Sequence, residues 1–205
     1  MLKNIIFDLG GVILNIDFQK TVEAFRKLGI ADIDKMYSGY AQYDFFDAFD
    51  KGLISPLQFR DKVRTYIPKS VTNEEIDEAW NKMLLDFPAE RINLLLNLKK
   101  TYRTFLLSNT NAIHYPVYNK QLHETFGIDS LSDLFEKAYY SFQVGLRKPD
   151  IEIFELVLKE NNLVPEETLF IDDAPQNIKI AKYIGIKAVL LQPSETLIDL
   201  FENIN

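Results

Sequence analysis

Asp8 stands at the end of a short apolar run, Ile5-Ile6-Phe7, and is followed by Leu9-Gly10-Gly11-Val12. A carboxylate there can be a metal ligand, a nucleophile, or both. The two glycines let the backbone turn tightly and bring amide N–H groups close to an anion. Three further segments carry polar groups of the same kind. Ser108-Asn109-Thr110-Asn111 offers a hydroxyl and an amide that can bind phosphate oxygens alongside backbone N–H groups. Arg147-Lys148-Pro149-Asp150 offers a lysine as a point charge. Asp172-Asp173 places two carboxylates side by side, and a divalent cation is a natural way to relieve their repulsion. Each segment alone also reads structurally: a strand-end acid holding a loop, a helix N-cap, a solvated lysine, two loop acids. Four such features, all at strand ends and in this order, are much harder to dismiss than any one alone.

The elements that would position these residues are legible from apolar patterning. Ile5–Phe7, Thr104–Leu107, Leu169–Ile171 and Ala188–Leu191 are short apolar runs that fit buried parallel strands, and Lys137–Phe142 reads as a further one. Helical spacing lies between them over Glu90–Lys100, Ile151–Asn161 and Pro175–Ile184, the last stopped by Gly185. Alternation of this kind predicts an α/β fold: a doubly wound, mostly parallel sheet with helices on both faces. Residues 16–88 break the alternation and read as consecutive helices. Ser55-Pro56-Leu57-Gln58 and Thr72-Asn73-Glu74-Glu75 are capping boxes, the second followed by Ile76, Ala79, Trp80 and Met83 at helical spacing. The expected organisation is a core of residues 1–15 and 89–205 with a helical cap of residues 16–88 inserted after the first strand. Ligands bind beyond the carboxyl ends of strands in open α/β sheets, so such an insertion emerges where it can act as a lid.

Composition narrows the function classes. The chain has 205 residues, 47% of them apolar, and no cysteine, which excludes disulfides, thiolate metal sites and thiol nucleophiles. Its 23 Lys+Arg against 30 Asp+Glu give a charge of −7 without a basic run, so a small-molecule partner is expected and nucleic acid is not. No stretch approaches the ~20 apolar residues of a membrane span, and the first apolar run is too short for a signal peptide, so a cytoplasmic protein is expected. The patterning leaves the oligomeric state open.

The four motifs, Ile5 to Val12, Leu107-Ser108-Asn109, Lys148-Pro149, and Phe170-Ile171-Asp172-Asp173 with Asn177, resemble those of the haloacid dehalogenase superfamily of aspartate-nucleophile hydrolases. The resemblance spans nearly the whole chain, with the helical block in the position of that superfamily's cap. The stretches around Asp8, around Ser108 to His114, and over Gly145 to Pro149 further resemble its α-D-glucose-1-phosphate phosphatases. The resemblance implies a Mg²⁺-dependent phosphomonoesterase acting on a small sugar phosphate, such as a hexose 1-phosphate. Asp8 would attack phosphorus and form an aspartyl-phosphate. Asp8, the carbonyl of Gly10, Asp172 and Asp173 would hold Mg²⁺, with Asp173 the more direct of the acidic pair. Ser108 and Asn109 would bind phosphoryl oxygens, and Lys148 would offset their charge and keep Asp8 ionised.

One departure from the pattern has chemical weight. Phosphatases of this superfamily mostly carry a second Asp two residues after the nucleophile, and here that position is Gly10. A general acid–base group contributes about 10²–10⁴-fold. Three explanations are open: an ester with an acidic leaving hydroxyl, for which a sugar 1-phosphate qualifies; a stand-in such as Asp17, His114 or a cap residue; or a binder without turnover. A 2-haloacid dehalogenase also lacks that Asp, but needs no metal and usually no paired acids in the fourth motif. In the cap, Tyr37, Tyr40, Tyr43, Phe45, Phe46 and Phe49 could pack on a sugar ring, although the spacing of the three phenylalanines is that of a helix core. His114 and His123, the two histidines, read first as structural, Trp80 and Tyr102 as packing residues, and Lys99-Lys100 as a solvated helix end.

Overall fold

The computed structural model describes residues 1–30, 32–37 and 43–204; Tyr40 lies outside them. Among the described residues, five strands form one all-parallel sheet in the order β3-β2-β1-β4-β5. They are β1 (Asn4–Phe7), β2 (Arg103–Ser108), β3 (Lys137–Tyr140), β4 (Thr168–Asp172) and β5 (Lys187–Leu190). The apolar runs are continuous because both faces are covered. Ile5 and Phe7 belong to one buried cluster, with Leu106 and Ile171. Ile6 points the other way, into a second cluster with Phe105, Leu107 and Phe170. Helices α6 (Ala89–Leu98), α7 (His114–Phe126), α9 (Ile151–Asn161), α10 (Pro175–Tyr183) and α11 (Leu197–Ile204) cover the faces, and α8 (Ser141–Val144) is a single turn.

The fifth strand expected over Lys137–Phe142 ends two residues early. The Ser141 hydroxyl donates to the Thr110 carbonyl and accepts from the Thr110 N–H, both at 2.9 Å, and this exchange turns the chain into α8. Lys99 and Lys100 are exposed at the end of a helix, as expected, although the helix ends two residues earlier than its spacing indicates. Helix α6 stops at Leu98, and the Lys99 ammonium donates to the carbonyls of Asp133 at 2.7 Å and Phe135 at 3.2 Å, tying a neighbouring loop to the helix end.

Between β1 and α6 the chain forms α1 (Phe18–Lys27), α2 (Ile33–Met36), α3 (Asp44–Asp50), α4 (Pro56–Arg64) and α5 (Asn73–Asn81). Both capping boxes are formed, at Ser55 for α4 and Thr72 for α5. These helices bury their own cluster, with Phe25, Phe46, Phe49, Phe59 and Trp80 at its centre and Phe45 packed against it. The phenylalanines of α3 are thus core residues, as their spacing indicates. Tyr43 is 44% exposed, whereas Tyr37 is buried against Phe46 and Trp80. The two connections to the sheet run antiparallel, with Asp17 N–H on the Met83 carbonyl at 2.9 Å and Leu85 N–H on the Asn15 carbonyl at 3.0 Å. Thr21 locks α1 to α5: its hydroxyl lies 2.9 Å from the Trp80 carbonyl and accepts the Met83 N–H at 3.0 Å.

Replacing Thr21 by Val keeps its volume and leaves the buried Met83 N–H without an acceptor. The expected cost is about 1–3 kcal/mol of unfolding free energy, read by urea denaturation. A loss below about 0.3 kcal/mol would show that the hydroxyl is dispensable.

Candidate active site

The strand order places β1 and β4 side by side where the chain reverses its direction of travel across the sheet. Ligand sites of open α/β sheets lie at such a crevice, beyond the carboxyl ends. Asp8 follows β1 and Asp172 closes β4. Between them sits the ammonium of Lys148, 2.7 Å from Asp8 Oδ1 and 2.7 Å from Asp172 Oδ2, on a residue only 1% exposed. Burial alone would drive this lysine toward neutrality. Asp172 and Asp8 outweigh that, so its pKa lies above the ordinary value.

Each member is held by its neighbours. Asp172 accepts from Ala174 N–H at 2.8 Å, and Asn177 Nδ2 lies 3.0 Å from each of its oxygens. Lys148 is fixed through its backbone: Asn109 Oδ1 accepts its N–H at 2.9 Å, and Asn109 Nδ2 donates to its carbonyl at 2.8 Å. Asn109, expected to face phosphoryl oxygens, therefore also positions the lysine, and its second amide N–H remains for a ligand. Ser108 ends β2 and lines the same cleft. Gly11 has φ +72°, and a Cβ there would collide with the Asp173 carboxylate, so the loop after β1 requires glycine for both conformation and space.

Asp8, Asp172 and Asp173 bring one carboxylate oxygen each to within 4.8 Å of one another. Opposite them stands a single ammonium, and burial together with the neighbouring charges raises two of the acids. Burial pushes Asp8 up, Lys148 pulls it down, and the charges of Asp172 and Asp173 raise it again, to about 8. Desolvation and the Asp172 charge push Asp173 up to about 6. The cluster lacks positive charge, and a divalent cation among its oxygens supplies it.

The sequence residues thus converge: Asp8, Gly10, Ser108, Asn109, Lys148 and Asp173 all line one cleft of about 790 Å³, with Asp172 buried behind. The opposite wall comes from the helical block, through Tyr37, Asp47, Asp50, Trp80 and Met83. Two residues on the border had no assigned role in the sequence. Asn111 Oδ1 accepts from Trp80 Nε1 at 3.3 Å and from the N–H groups of Ile113 and His114 at 3.2 and 3.1 Å, while its Nδ2 donates to Asp50 at 3.2 Å. Arg147 pairs with Asp47 and lies 3.8 Å from Asp50, and Lys51 reaches Asp150 at 2.6 Å. The signal for Asn111 was its place in an unbroken polar run after β2; for Arg147 there was none beyond its neighbour Lys148.

The space two residues after Asp8 is taken by Ile16, whose Cδ1 would lie 2.9 Å from a Cβ on Gly10. Of the stand-in acids, Asp17 lines the cleft and caps α1, accepting from Gln19 N–H at 3.0 Å. Burial pushes His114 down to about 3, which favours the neutral ring and speaks against it as the stand-in acid. His123 pairs with Asp129 at 2.9 Å on the exposed side of α7. Trp80 and Tyr102 pack as expected, the first against Phe46 and the second against the sheet's cluster.

A family model for haloacid dehalogenase-like hydrolases matches residues 2–185. A D-ribitol-5-phosphate phosphatase of Bacteroides thetaiotaomicron is 38% identical over 189 residues, 91% of this chain and 90% of that protein. A glyceraldehyde 3-phosphate phosphatase of Pyrococcus furiosus is 30% identical, covering 92% of this chain and 80% of that one. Among solved structures, a mutant HAD family enzyme of Bacteroides thetaiotaomicron in complex with magnesium and inorganic phosphate superposes with a TM-score of 0.91 at 37% identity, over 98% of this chain and 99% of that one.

The raised carboxyl pKa values make a signed prediction. A carboxyl whose folded pKa exceeds its unfolded value holds its proton longer when folded, so stability falls as pH rises toward the folded pKa. His114, depressed below its unfolded 6.5, acts oppositely, but only below that pH. Between pH 6.5 and 8 the Asp8 effect dominates this pair. In EDTA the melting temperature is expected to fall across that window, and millimolar Mg²⁺ to raise it more at pH 8 than at 6.5. A metal-free protein that melts higher at pH 8 overturns this account of the cluster.

Proposed function

The chain belongs to the haloacid dehalogenase-like hydrolase family, and within it we propose a Mg²⁺-dependent phosphomonoesterase acting on a small phosphorylated sugar or polyol. One observation carries the reading: the Lys148 ammonium bridges Asp8 and Asp172 beside Asp173, in a cleft lined by Ser108 and Asn109. The donor set suits Mg²⁺, a hard cation that takes oxygen ligands. Asp8, Asp173 and the Gly10 carbonyl would hold it, with Asp172 contributing to the same cluster. Both oxygens of Asp172 already accept protein donors, which favours Asp173 as the direct ligand of the pair. When bound, the ion would neutralise phosphoryl oxygens and let two anions meet.

The remaining chemistry falls to the chain's own residues. Asp8 Oδ would attack phosphorus as the ester P–O bond breaks, giving an aspartyl-phosphate and an alkoxide that takes up a proton. Lys148 would carry charge on the phosphoryl group, and Ser108 and Asn109 would orient its oxygens. Positioning and charge stabilisation account for most of phosphoryl transfer, so this short roster is sufficient. Water would then release phosphate from Asp8. The relatives named for ribitol 5-phosphate and glyceraldehyde 3-phosphate support an open-chain substrate alongside the hexose 1-phosphate of the sequence reading.

The decisive assay is phosphate release from pentitol 5-phosphate, glyceraldehyde 3-phosphate and hexose 1-phosphate, with and without Mg²⁺. Turnover is expected with the metal, and Asp8→Asn is expected to lower kcat by at least about 10³-fold. Beryllofluoride should form an adduct at Asp8. Phosphate release that survives exhaustive metal removal rejects the metal assignment, and halide release from 2-haloacids without metal identifies a dehalogenase instead. Restoring the absent acid tests the leaving-group explanation. Gly10→Asp combined with Ile16→Ala, which makes room for the new side chain, should raise kcat on simple alkyl phosphates by about 10²-fold. An unchanged rate means that proton delivery does not limit those esters.

A further inference from the structure

Native proteins leave few buried polar atoms unpaired, and those that remain call for a ligand, a water or a mechanism. Among the described residues, five side-chain polar atoms are buried without a hydrogen-bond partner, and four of them, His114 Nε2, Tyr118 Oη, Arg147 Nε and Asn177 Oδ1, belong to residues that line the cleft. Tyr118 carries a hydroxyl that can donate as well as accept, and its ring packs edge-on against Tyr115. Asn177 belongs to the acidic cluster through Asp172. Arg147 is occupied by Asp47 and Asp50 through its terminal nitrogens. His114 takes part in neither arrangement.

The ring is held on every other side. It is 6% exposed and stacks on Trp80, with centroids 4.9 Å apart and planes at 15°. Nδ1 lies 2.8 Å from Asn81 Oδ1, which assigns the ring proton to Nδ1 and leaves Nε2 as a bare acceptor. The backbone N–H is bound to Asn111 Oδ1 at 3.1 Å. An imidazole so fixed can neither rotate its acceptor to another partner nor donate from it. Burial holds the ring neutral throughout the pH range of ordinary work. In a cleft that receives a phosphorylated sugar or polyol, the group the substrate offers to such an acceptor is a hydroxyl.

We propose that His114 is a specificity-determining residue, its Nε2 accepting a hydrogen bond from a hydroxyl on the substrate's carbon chain. The inference rests on the phosphomonoesterase reading for its substrate and extends it to the chemistry that selects that substrate: a hydroxylated chain is accepted, and an alkyl chain of equal length leaves Nε2 unpaired. Sites built to bind a hydroxyl discriminate strongly against analogues that lack it.

The test compares pentitol 5-phosphate with n-pentyl phosphate in wild type and His114→Phe, which keeps a ring against Trp80 and removes the acceptor. The expected result is a rise in KM of at least about tenfold for pentitol 5-phosphate, with kcat changed less than about twofold and KM for pentyl phosphate nearly unmoved. His114→Gln, which returns an acceptor oxygen, should recover part of the loss. Should the Phe variant fail to fold, His114→Met removes the acceptor with a flexible side chain and carries the same comparison. Equal changes for both esters, or none for either, overturn the proposal. If wild type releases phosphate from no ester, the proposed function fails and the inference is decided by binding. Trp80, the one tryptophan of the chain, lies against His114 and reports it by fluorescence. A preference for pentitol 5-phosphate over pentyl phosphate that disappears with the acceptor sustains the assignment, and equal binding of the two esters ends it.

Discussion

The site is organised by one buried cation. Lys148 is almost fully removed from solvent and survives as an ammonium because two carboxylates stand 2.7 Å from it on either side. Neither acid would be comfortable there without it, and the lysine would not stay charged without them. The pairing joins three places in the chain: just after β1, at the last residue of β4, and ahead of α9. It can form only if the strands are parallel, in this order and in this register, so that their carboxyl ends meet at one edge. The sheet's two apolar faces therefore do more than exclude water. They hold three polar segments at hydrogen-bond distance.

One lysine does not balance three acids. Burial first, and the neighbouring carboxylates after it, push the carboxyls of Asp8 and Asp173 above the usual range. A protein that kept such a cluster only for stability would be poorly served by it, since replacing buried ionic groups by apolar ones is often neutral or favourable. The arrangement gains sense as a receptor for positive charge followed by an anion. Gly11 fits the same logic, because any side chain at that position would push Asp173 out of the cluster.

Much of this was visible in the sequence because the relevant signals are local. A strand ending in Asp, a doublet of acids, a Lys-Pro before a helix and two capping boxes each occupy a few consecutive residues. Contacts between distant segments were not visible. Nothing in the polar run after β2 says that Asn109 will clasp the backbone of Lys148, or that Asn111 will join Trp80 to Asp50. Ile16 filling the space beside Gly10, and the stacking of His114 on Trp80, depend on how the helical block settles over the sheet. The early end of β3 has the same origin. The Ser141 side chain finds its partner at Thr110, more than 30 residues away, on terms that local propensity does not contain.

The residues on either side of Lys148-Pro149 both grip helix α3: Arg147 through Asp47 and Asp50, and Asp150 through Lys51. The short segment that delivers the ammonium is thus anchored at each end to the helical roof, while the ammonium itself is anchored to the floor. Lifting the roof therefore pulls on the very backbone that sets the charge in place. Any displacement of that helix would thus be felt at the backbone of residues 147–150.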